Sequence, residues 1–347
     1  MLMGKYHSSE IYKAIQTLLD ETETHPVRGA IIHRRRPKPS FFSHMQILTS
    51  RLVTHLFRSH SEVWDRVTQP PLFAFLIFIF LIRLGFDQSS VQNRAGLIYN
   101  FTTGPIFISM IHGIAGCKFP RNSHTRVLFL THSLSLSLSI STSVKVPAVR
   151  NLYYRESVDS LYSSPAFVLS YAIHVLPITL LSLLLFSGFG YWALGLNPEF
   201  TRYLIFIACA FILNLMGEFI AMMSLAFIFD RNRASSASFL LISVSALMGT
   251  GFLRSAETMP VFFQYLRYGT VFRYASEILN ANEFAGLQFT CNPILPCEYP
   301  TGDAFLEEMY PNAADSMGIN FGALIFMTVM LLVTQIVIFH FIKRSLR

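Results

Sequence analysis

Charged residues are scarce in this chain: they make up 14% of its 347 residues, whereas hydrophobic residues make up 52%. A soluble globular domain carries about 25% charged residues, so the composition excludes an ordinary soluble domain of this size. The N-terminus also lacks the apolar core of a secretory signal peptide, because Ser8, Ser9 and Glu10 are polar. Tryptophan is nearly absent, and 33 phenylalanines dominate the aromatic content. These features favour a polytopic membrane protein with Phe-rich helices.

Basic residues outnumber acidic ones, 27 to 20, and the formal net charge is +7. A nucleic-acid-binding protein gathers such residues in one patch. Here they lie between the apolar segments, which favours a positively charged cytoplasmic face, and no nucleic-acid partner is expected.

Six apolar segments approach the length of about 20 residues that a membrane-spanning helix needs. We predict the spans at residues 67–82, 95–116, 166–194, 203–229, 235–253 and 321–341. Trp64 lengthens the first of them at the interface. The predicted fold class is therefore an all-α polytopic membrane protein with six transmembrane helices.

Lys and Arg counts in the flanks of the spans predict the orientation. Residues 1–66 hold ten basic residues, and the stretch between spans two and three holds six. Residues 254–319, between spans five and six, hold three basic residues against eight acidic ones. Both termini are therefore predicted to be cytoplasmic.

An apolar stripe at helical spacing precedes the first span. It consists of Met45, Leu48, Leu52, Leu56 and the nearby Phe57. The stripe predicts an amphipathic helix that lies on the inner membrane surface. The alternative is an ordinary linker helix packed on the protein.

The segment between spans five and six is too long for a simple turn. Residues 259–287 are apolar and aromatic but are interrupted by charges, which predicts short re-entrant helices that dip into the outer leaflet. Cys291 and Cys297 lie six residues apart in the predicted outer compartment, where oxidation is permitted. We predict a small disulfide between them. No metal site is predicted, because no His or second Cys pair is near.

Three stretches of the sequence resemble the G subfamily of ABC half-transporters. YRESVDSLYSSPAFVLSYAIHVLP (Tyr154–Pro177) resembles the junction that leads into their third span, and FGYWALGLNPEFTRY continues the pattern. GTGFLRSAETMPVFFQYLRYGTVFRYASEILNANEFAGLQFTC (Gly249–Cys291) resembles the outer re-entrant region of the sterolins, the sterol-exporting members. The resemblance covers roughly residues 40–347 and implies a membrane domain of the ABC-2 type. The H subfamily shares this general plan and stays an alternative.

The resemblance also implies a nucleotide-binding domain ahead of the membrane domain. The sequence contains no G-x-x-x-x-G-K-[ST] motif, whose backbone NH groups cradle phosphate, and no LSGGQ-like signature. Residues 1–40 resemble the cytoplasmic linker that follows such a domain, and residues 41–347 the transmembrane domain. We therefore expect that the chain alone hydrolyses no ATP. ATP and Mg²⁺ would act through a nucleotide-binding domain that is missing from it.

One segment departs from the family pattern, in which a short turn after span two leads directly into the R-E-S element. About 29 residues, near 117–145, are inserted here, and they include HSLSLSLSISTS (His132–Ser143). The Ser-Leu alternation has the period of a half-buried strand, but a strand would have no partner in this fold. A CT dinucleotide repeat translates into the same alternation. We interpret the insert as a retained intron or mispredicted exon.

Charged groups within a span cost about 2.5–3.5 kcal/mol each on insertion scales, so Glu218, midway along span four, needs polar partners. The candidates are His112, at the inner end of span two, and Arg66, at the foot of span one. The resemblance implies that the three form a polar relay that couples ATPase motion to the spans, although a sterolin carries Asn at the position of His112. The alternative is a structural ion pair.

The resemblance implies two further groups of site residues. Sterol-like molecules would contact apolar side chains near spans two and five, where the candidates are Tyr99, Phe107, Phe239 and Leu247. The alternative is that these side chains only face lipid or the core. A cytoplasmic coupling loop would transmit nucleotide-driven closure, and it contains Tyr153, Tyr154, Arg155 and Glu156.

The leading hypothesis is the transmembrane subunit of an ABC half-transporter that exports sterols or other lipids. The resemblance implies a homo- or heterodimer with another half-transporter in the plasma membrane. The second hypothesis is a truncated, non-transporting partner that inhibits full-length half-transporters, or a pseudogene product. A membrane enzyme such as an acyltransferase would require paired His and Asp motifs near one interface, and the sequence shows no such pairing.

Overall fold

The computed structural model describes residues 10–24, 39–58, 60–81, 83–114, 146–159, 161–228, 230–252, 259–290 and 298–345. Every regular element within these ranges is a helix, and the only β pairing there is two isolated bridges. The predicted all-α class is therefore confirmed for the described residues.

The chain forms two units, residues 1–40 and 41–347. The first contains α1 (Glu10–Thr24). The helices of the second are α2 (Phe41–Arg58), α3 (His60–Leu81), α4 (Gln88–Ile114), α5 (Val146–Val158), α6 (Ser164–Ala193), α7 (Phe200–Phe227), α8 (Arg231–Gly249), α9 (Val261–Arg267), α10 (Val271–Phe284), α11 (Gly302–Met309) and α12 (Met317–Ser345).

Three helices are long and apolar enough to cross a membrane. They are α6, α7 and α12, over Ser164–Ala193, Phe200–Phe227 and Met317–Ile342, and they coincide with predicted spans three, four and six. Predicted spans one, two and five also fold as helices, namely α3, α4 and α8. Within the described residues these three do not combine the required length and apolarity, and α3 is apolar only over Arg66–Leu81. Six membrane crossings therefore stay a prediction.

The helix α7 is the central element of the second unit, since it packs against α4, α6, α8, α10 and α12. Its approach to α4 is especially close. A Cβ at Gly217 would lie 2.5 Å from the backbone oxygen of Ile106, and one at Gly113 would lie 2.5 Å from the Cβ of Ala221. Because small residues let membrane helices pack backbone to backbone, these two glycines allow the close α4–α7 contact.

The predicted amphipathic helix is present as α2. Leu48, Leu52 and Leu56 are buried, and α2 packs on α6, where the Ser170 hydroxyl donates to the carbonyl of Met45 at 3.2 Å. The prediction that Phe57 joins this stripe is wrong, because Phe57 is 67% exposed and lies one residue, or about 100°, around the helix from Leu56. The leucine face therefore packs on protein. Its position relative to a membrane surface stays a prediction.

The region between α8 and α12 consists of short helices, as expected for the predicted re-entrant stretch. Both α9 and α10 lie within it, and neither is long enough to span a membrane. The depth of this region in a leaflet stays a prediction. The predicted Cys291–Cys297 disulfide and the whole segment near 117–145 lie outside the described residues.

Candidate functional site

The carboxylate of Glu218 lies in the middle of the bundle, on α7, and accepts hydrogen bonds from two other helices. Arg66 of α3 donates from Nη1 to Oε1 at 2.5 Å, and Tyr171 of α6 donates its hydroxyl to Oε2 at 3.0 Å. The Arg66 and Glu218 side chains are only 6% and 2% exposed. The structure thus brings these two predicted residues together. Tyr171 is a partner that the sequence did not reveal.

A small cavity adjoins this ion pair. Its volume is about 10 Å³, which is the room of about one water molecule. Its lining is mostly polar and consists of Arg66, Pro70, His112, Ile178, Thr179, Ser182, Asn214 and Glu218. All three predicted relay residues therefore meet at one buried cavity. Polar groups around such a space can exchange hydrogen-bond partners without any charge entering lipid.

The four predicted substrate-contact residues lie on α4 and α8, two helices in contact with each other. The rings of Phe107 and Phe239 are 5.2 Å apart, centroid to centroid, whereas Tyr99 stacks at 5.0 Å on Phe252. Phe239 and Leu247 are exposed. The structure therefore brings Phe107 and Phe239 together on an apolar face that is open at its side.

The predicted coupling residues Tyr153, Tyr154, Arg155 and Glu156 lie on a helix, α5, within the connection between predicted spans two and three. Their coupling role stays a prediction. No glycine or proline follows Pro147 in this helix. Pro147 itself falls in the first turn, where its missing NH group is tolerated. The backbone hydrogen bonds can therefore continue unbroken through the four coupling residues.

Glu156 connects α5 to α2. Two nitrogens of Arg51 donate to its two carboxylate oxygens at 2.7 and 3.1 Å, and the Tyr162 hydroxyl donates at 2.6 Å. Burial raises the pKa of Glu156, but the hydrogen bonds from Arg51 and Tyr162 outweigh it, so the pKa lies below its usual value. Burial, followed by the bond to Glu156, raises the pKa of Tyr162. At neutral pH the group is therefore a carboxylate bound by a cation and a neutral phenol.

Two further residues hold α5 on the bundle. The Tyr153 hydroxyl donates to the carbonyl of Phe339 on α12 at 3.1 Å. The Arg150 guanidinium donates to the carbonyls of Leu225 and Ile228, at 2.6 and 3.4 Å, where α7 ends. Sequence reasoning missed Arg150, which was counted only as a basic flank. The signal available in the sequence was its helical spacing: Arg150 precedes Tyr153 by three residues and Tyr154 by four.

A second buried ion pair joins Arg94 of α4 to Glu283 of α10, and the two side chains are 1% and 2% exposed. Arg94 also donates to the carbonyl of Gly85 at 3.0 Å, and Glu283 accepts from the backbone NH of Asn197 at 3.0 Å. In the sequence, Arg94 lies just before predicted span two, and Glu283 is one of the charges that interrupt the stretch 259–287. Opposite charges in two neighbouring outer segments were the only signal of this pair.

Helices of spanning length, with charged side chains paired inside the bundle, are typical of a polytopic membrane protein. Comparison with known protein families gives the specific assignment. The chain belongs to the ABC-2 type transporter family, whose pattern matches residues 43–284.

Similar proteins extend over most of this chain. ATP-binding cassette sub-family G member 5 of Homo sapiens is 30% identical over 326 residues, which are 90% of this chain and 45% of the relative. The protein of the same name from Mus musculus is 28% identical over 98% of this chain and 49% of its own length. Protein white of Ceratitis capitata is 24% identical over 80% of this chain and 37% of its own length.

These relatives confirm the predicted resemblance to the G subfamily and, within it, to sterolin-1, which is member 5. The chain spans about half the length of the member 5 proteins that it matches.

Proposed function

We propose that this chain is the transmembrane subunit of an ATP-driven exporter of sterols or other lipids. It works as a dimer with an identical or a different half-transporter. The observation that carries the proposal is the similarity, along 90% of the chain, to a protein whose name states an ATP-binding cassette. ATP and Mg²⁺ act through a nucleotide-binding domain that these 347 residues do not supply.

In the proposed topology the chain crosses the plasma membrane six times, and both termini lie in the cytoplasm. Two observations support it. The helices α3, α4 and α8 pack in the same bundle as the three helices of spanning length. The basic residues concentrate in the segments that this topology places in the cytoplasm.

The proposed mechanism uses the buried pair of Arg66 and Glu218. Nucleotide-driven closure displaces α5, and the bundle responds by shifting α3 and α7 relative to each other. An unpaired charge left in the bundle would be costly. The Tyr171 hydroxyl and the polar cavity beside His112 give the carboxylate other partners during the shift. The relay of Arg66, His112 and Glu218 thus allows α3 and α7 to move without exposing a charge to lipid.

The substrate in this mechanism contacts the apolar face of α4 and α8. A sterol is a rigid and almost wholly apolar molecule, so it gains free energy mainly by burying its surface, at about 25 cal/mol per Å². Phe107 and Phe239 lie together on this face. Tyr99 lies on α4, and Leu247 is exposed on α8. No charged group is needed to bind such a substrate.

The test is ATP-dependent transfer of a labelled sterol into inside-out vesicles from cells that express the protein with its half-transporter partner. Transfer should exceed that of vesicles without the protein and should fall several-fold in Phe107→Ala and Phe239→Ala. Phe326→Ala, on the exposed surface of α12, is the matched control and should transfer normally. If the folded wild-type protein transfers neither sterol nor phospholipid above background, the proposed function is wrong.

A further inference from the structure

The central helix α7 is bound at both ends by arginine contacts to backbone carbonyls. At its C-terminal end, Arg150 of α5 donates to Leu225 and Ile228 of α7, as described above. At its N-terminal end, Arg202 of α7 donates to the carbonyls of Asn282 and Ala285, at 2.6 and 3.0 Å, where α10 ends. Two arginines therefore connect three helices in series, α5 to α7 and α7 to α10.

Both contacts use the same chemistry. The last four carbonyls of a helix have no partner within it, and the helix dipole makes that end attractive to a cation. The planar guanidinium can donate to two such carbonyls at once. At the α10 contact the bond is reciprocal, because the Asn282 amide donates to the carbonyl of Arg202 at 3.0 Å. Each contact therefore fixes the orientation of the helix end as well as its distance.

The helix between these contacts has no internal proline. It runs unbroken over 28 residues, or roughly 42 Å at a rise of 1.5 Å per residue. By contrast, α3, α4 and α6 contain prolines inside the helix, and an internal proline removes a backbone hydrogen bond and favours a kink. Gly217 also seats α7 directly against the backbone of α4. A displacement at one end of α7 is therefore transmitted along it more directly than along those three helices.

We propose that α7 moves as one rigid rod in the transport cycle and transmits motion from α5 to α10. Arg150 couples α7 to α5, and Arg202 couples α7 to α10. The source of the motion rests on the proposed function. Arg150 and Arg202 are positioning residues in this mechanism, and neither contacts the substrate. Glu218 lies between them on the same rod, so a displacement of α7 also moves the ion pair with Arg66.

The direct test is hydrogen exchange, measured by mass spectrometry, on the full chain in lipid nanodiscs. In Arg150→Gln, exchange should rise near residues 225–228 and also, by at least about twofold, near residues 282–287 at the far end of α7. Arg202→Gln should produce the same two changes from the other end. Arg233→Gln, at an exposed position on α8, is the matched control and should change neither segment.

An exchange change confined to the mutated end would overturn the proposal, since a simple helix cap acts only locally. If Arg150→Gln does not fold, Arg150→Lys takes its place. Lysine keeps the charge at the carbonyls but loses the two-carbonyl contact, so the same remote change is expected at smaller amplitude.

A second readout uses the transporter together with its nucleotide-binding domain. Both single variants should lower kcat for sterol transfer without raising KM. The double variant should be no slower than the slower single variant, because both residues act through one rod. Multiplying losses would overturn the proposal. If the wild type transfers no lipid, the proposed function fails. The hydrogen-exchange result still tests whether α7 transmits a displacement from one end to the other.

Discussion

Two arginine–glutamate pairs in the described part of the bundle have side chains that are at most 6% exposed, and their surroundings differ. The Arg94–Glu283 pair is bound to backbone, namely the carbonyl of Gly85 and the NH group of Asn197. The carboxylate of Glu218 is instead bound by side chains, from Arg66 and Tyr171 on two different helices. A cavity of about 10 Å³ adjoins each pair. The one beside Glu283 has a mostly apolar lining, whereas the one beside the second pair is mostly polar and is lined by both of its members.

This difference indicates what each pair can do. Backbone groups in a packed loop cannot turn away, so the pair of Arg94 and Glu283 fastens α4, α10 and two loops together. Side-chain partners can rotate to new rotamers, and the polar residues around the cavity offer them other hydrogen-bond partners. The pair of Arg66 and Glu218 is therefore suited to rearrangement. Burial of a charge alone does not identify a relay, because both pairs are buried to the same degree.

The largest expected effect is a loss of stability on breaking the Arg94–Glu283 pair. Glu283→Ala leaves the Arg94 guanidinium buried without its anion, and arginine cannot give up its proton. The expected loss is about 3–5 kcal/mol in the free energy of unfolding, measured by chemical denaturation in mixed micelles. Glu307→Ala, at an exposed position on α11, is the control. Equal losses in the two variants would show that the pair fastens nothing.

Removing the cation of the same pair should cost less. In Arg94→Gln the remaining Glu283 can take up a proton, so we expect a loss of about 1–3 kcal/mol. Burial raises the pKa of this carboxyl, and the loss of the cation raises it further. A group whose pKa is higher in the folded than in the unfolded protein stabilises the fold at pH values below its unfolded pKa. This contribution is lost as pH rises through the folded pKa. The variant should therefore be less stable relative to wild type at pH 7.5 than at pH 5.5, and a loss independent of pH would contradict this.

The sequence revealed one of the two pairs, and the reason is physical. Glu218 stands alone in a long apolar span, where any charge requires a partner. Arg94 and Glu283 lie near the ends of apolar segments, where a charge is usually in water. Only the packing of α10 against α4 shows that they are buried.

The long helices were predictable for the same reason that Glu218 was. Hydropathy places α6 and α7 within three residues of their observed ends, because a long apolar run has few alternatives in a membrane protein. The helical conformation of α5 was not predicted, since its sequence has no apolar stripe. Its contacts join residues far apart in sequence, such as Arg51 to Glu156 and Arg150 to Leu225. No local pattern predicts such pairs.

A smaller stability effect is expected at the rearrangeable pair. Tyr171→Phe removes one hydrogen bond to Glu218 but leaves the contact with Arg66, so the loss should be about 1 kcal/mol, the net value of a typical hydrogen bond. Sterol transfer should fall by more than this loss of stability explains, because the carboxylate loses an alternative partner. Tyr274→Phe, which removes a hydrogen bond to the carbonyl of Tyr268, is the control. Unchanged transfer would mean that Tyr171 only stabilises the bundle.

The smallest effect is expected at the pair of Arg51 and Glu156, because Arg51 is 41% exposed and an ion pair in contact with water contributes about 0–1 kcal/mol. The lowered pKa of Glu156 means that its contribution is present above the unfolded pKa of about 4.3 and is lost as pH falls through the folded value. The stability difference between wild type and Glu156→Gln should therefore be present at pH 7 and shrink by pH 3.5. A difference that persists at pH 3.5 would assign the effect to packing or to the Tyr162 bond. Since this contact contributes so little, breaking it would cost far less than breaking either buried pair.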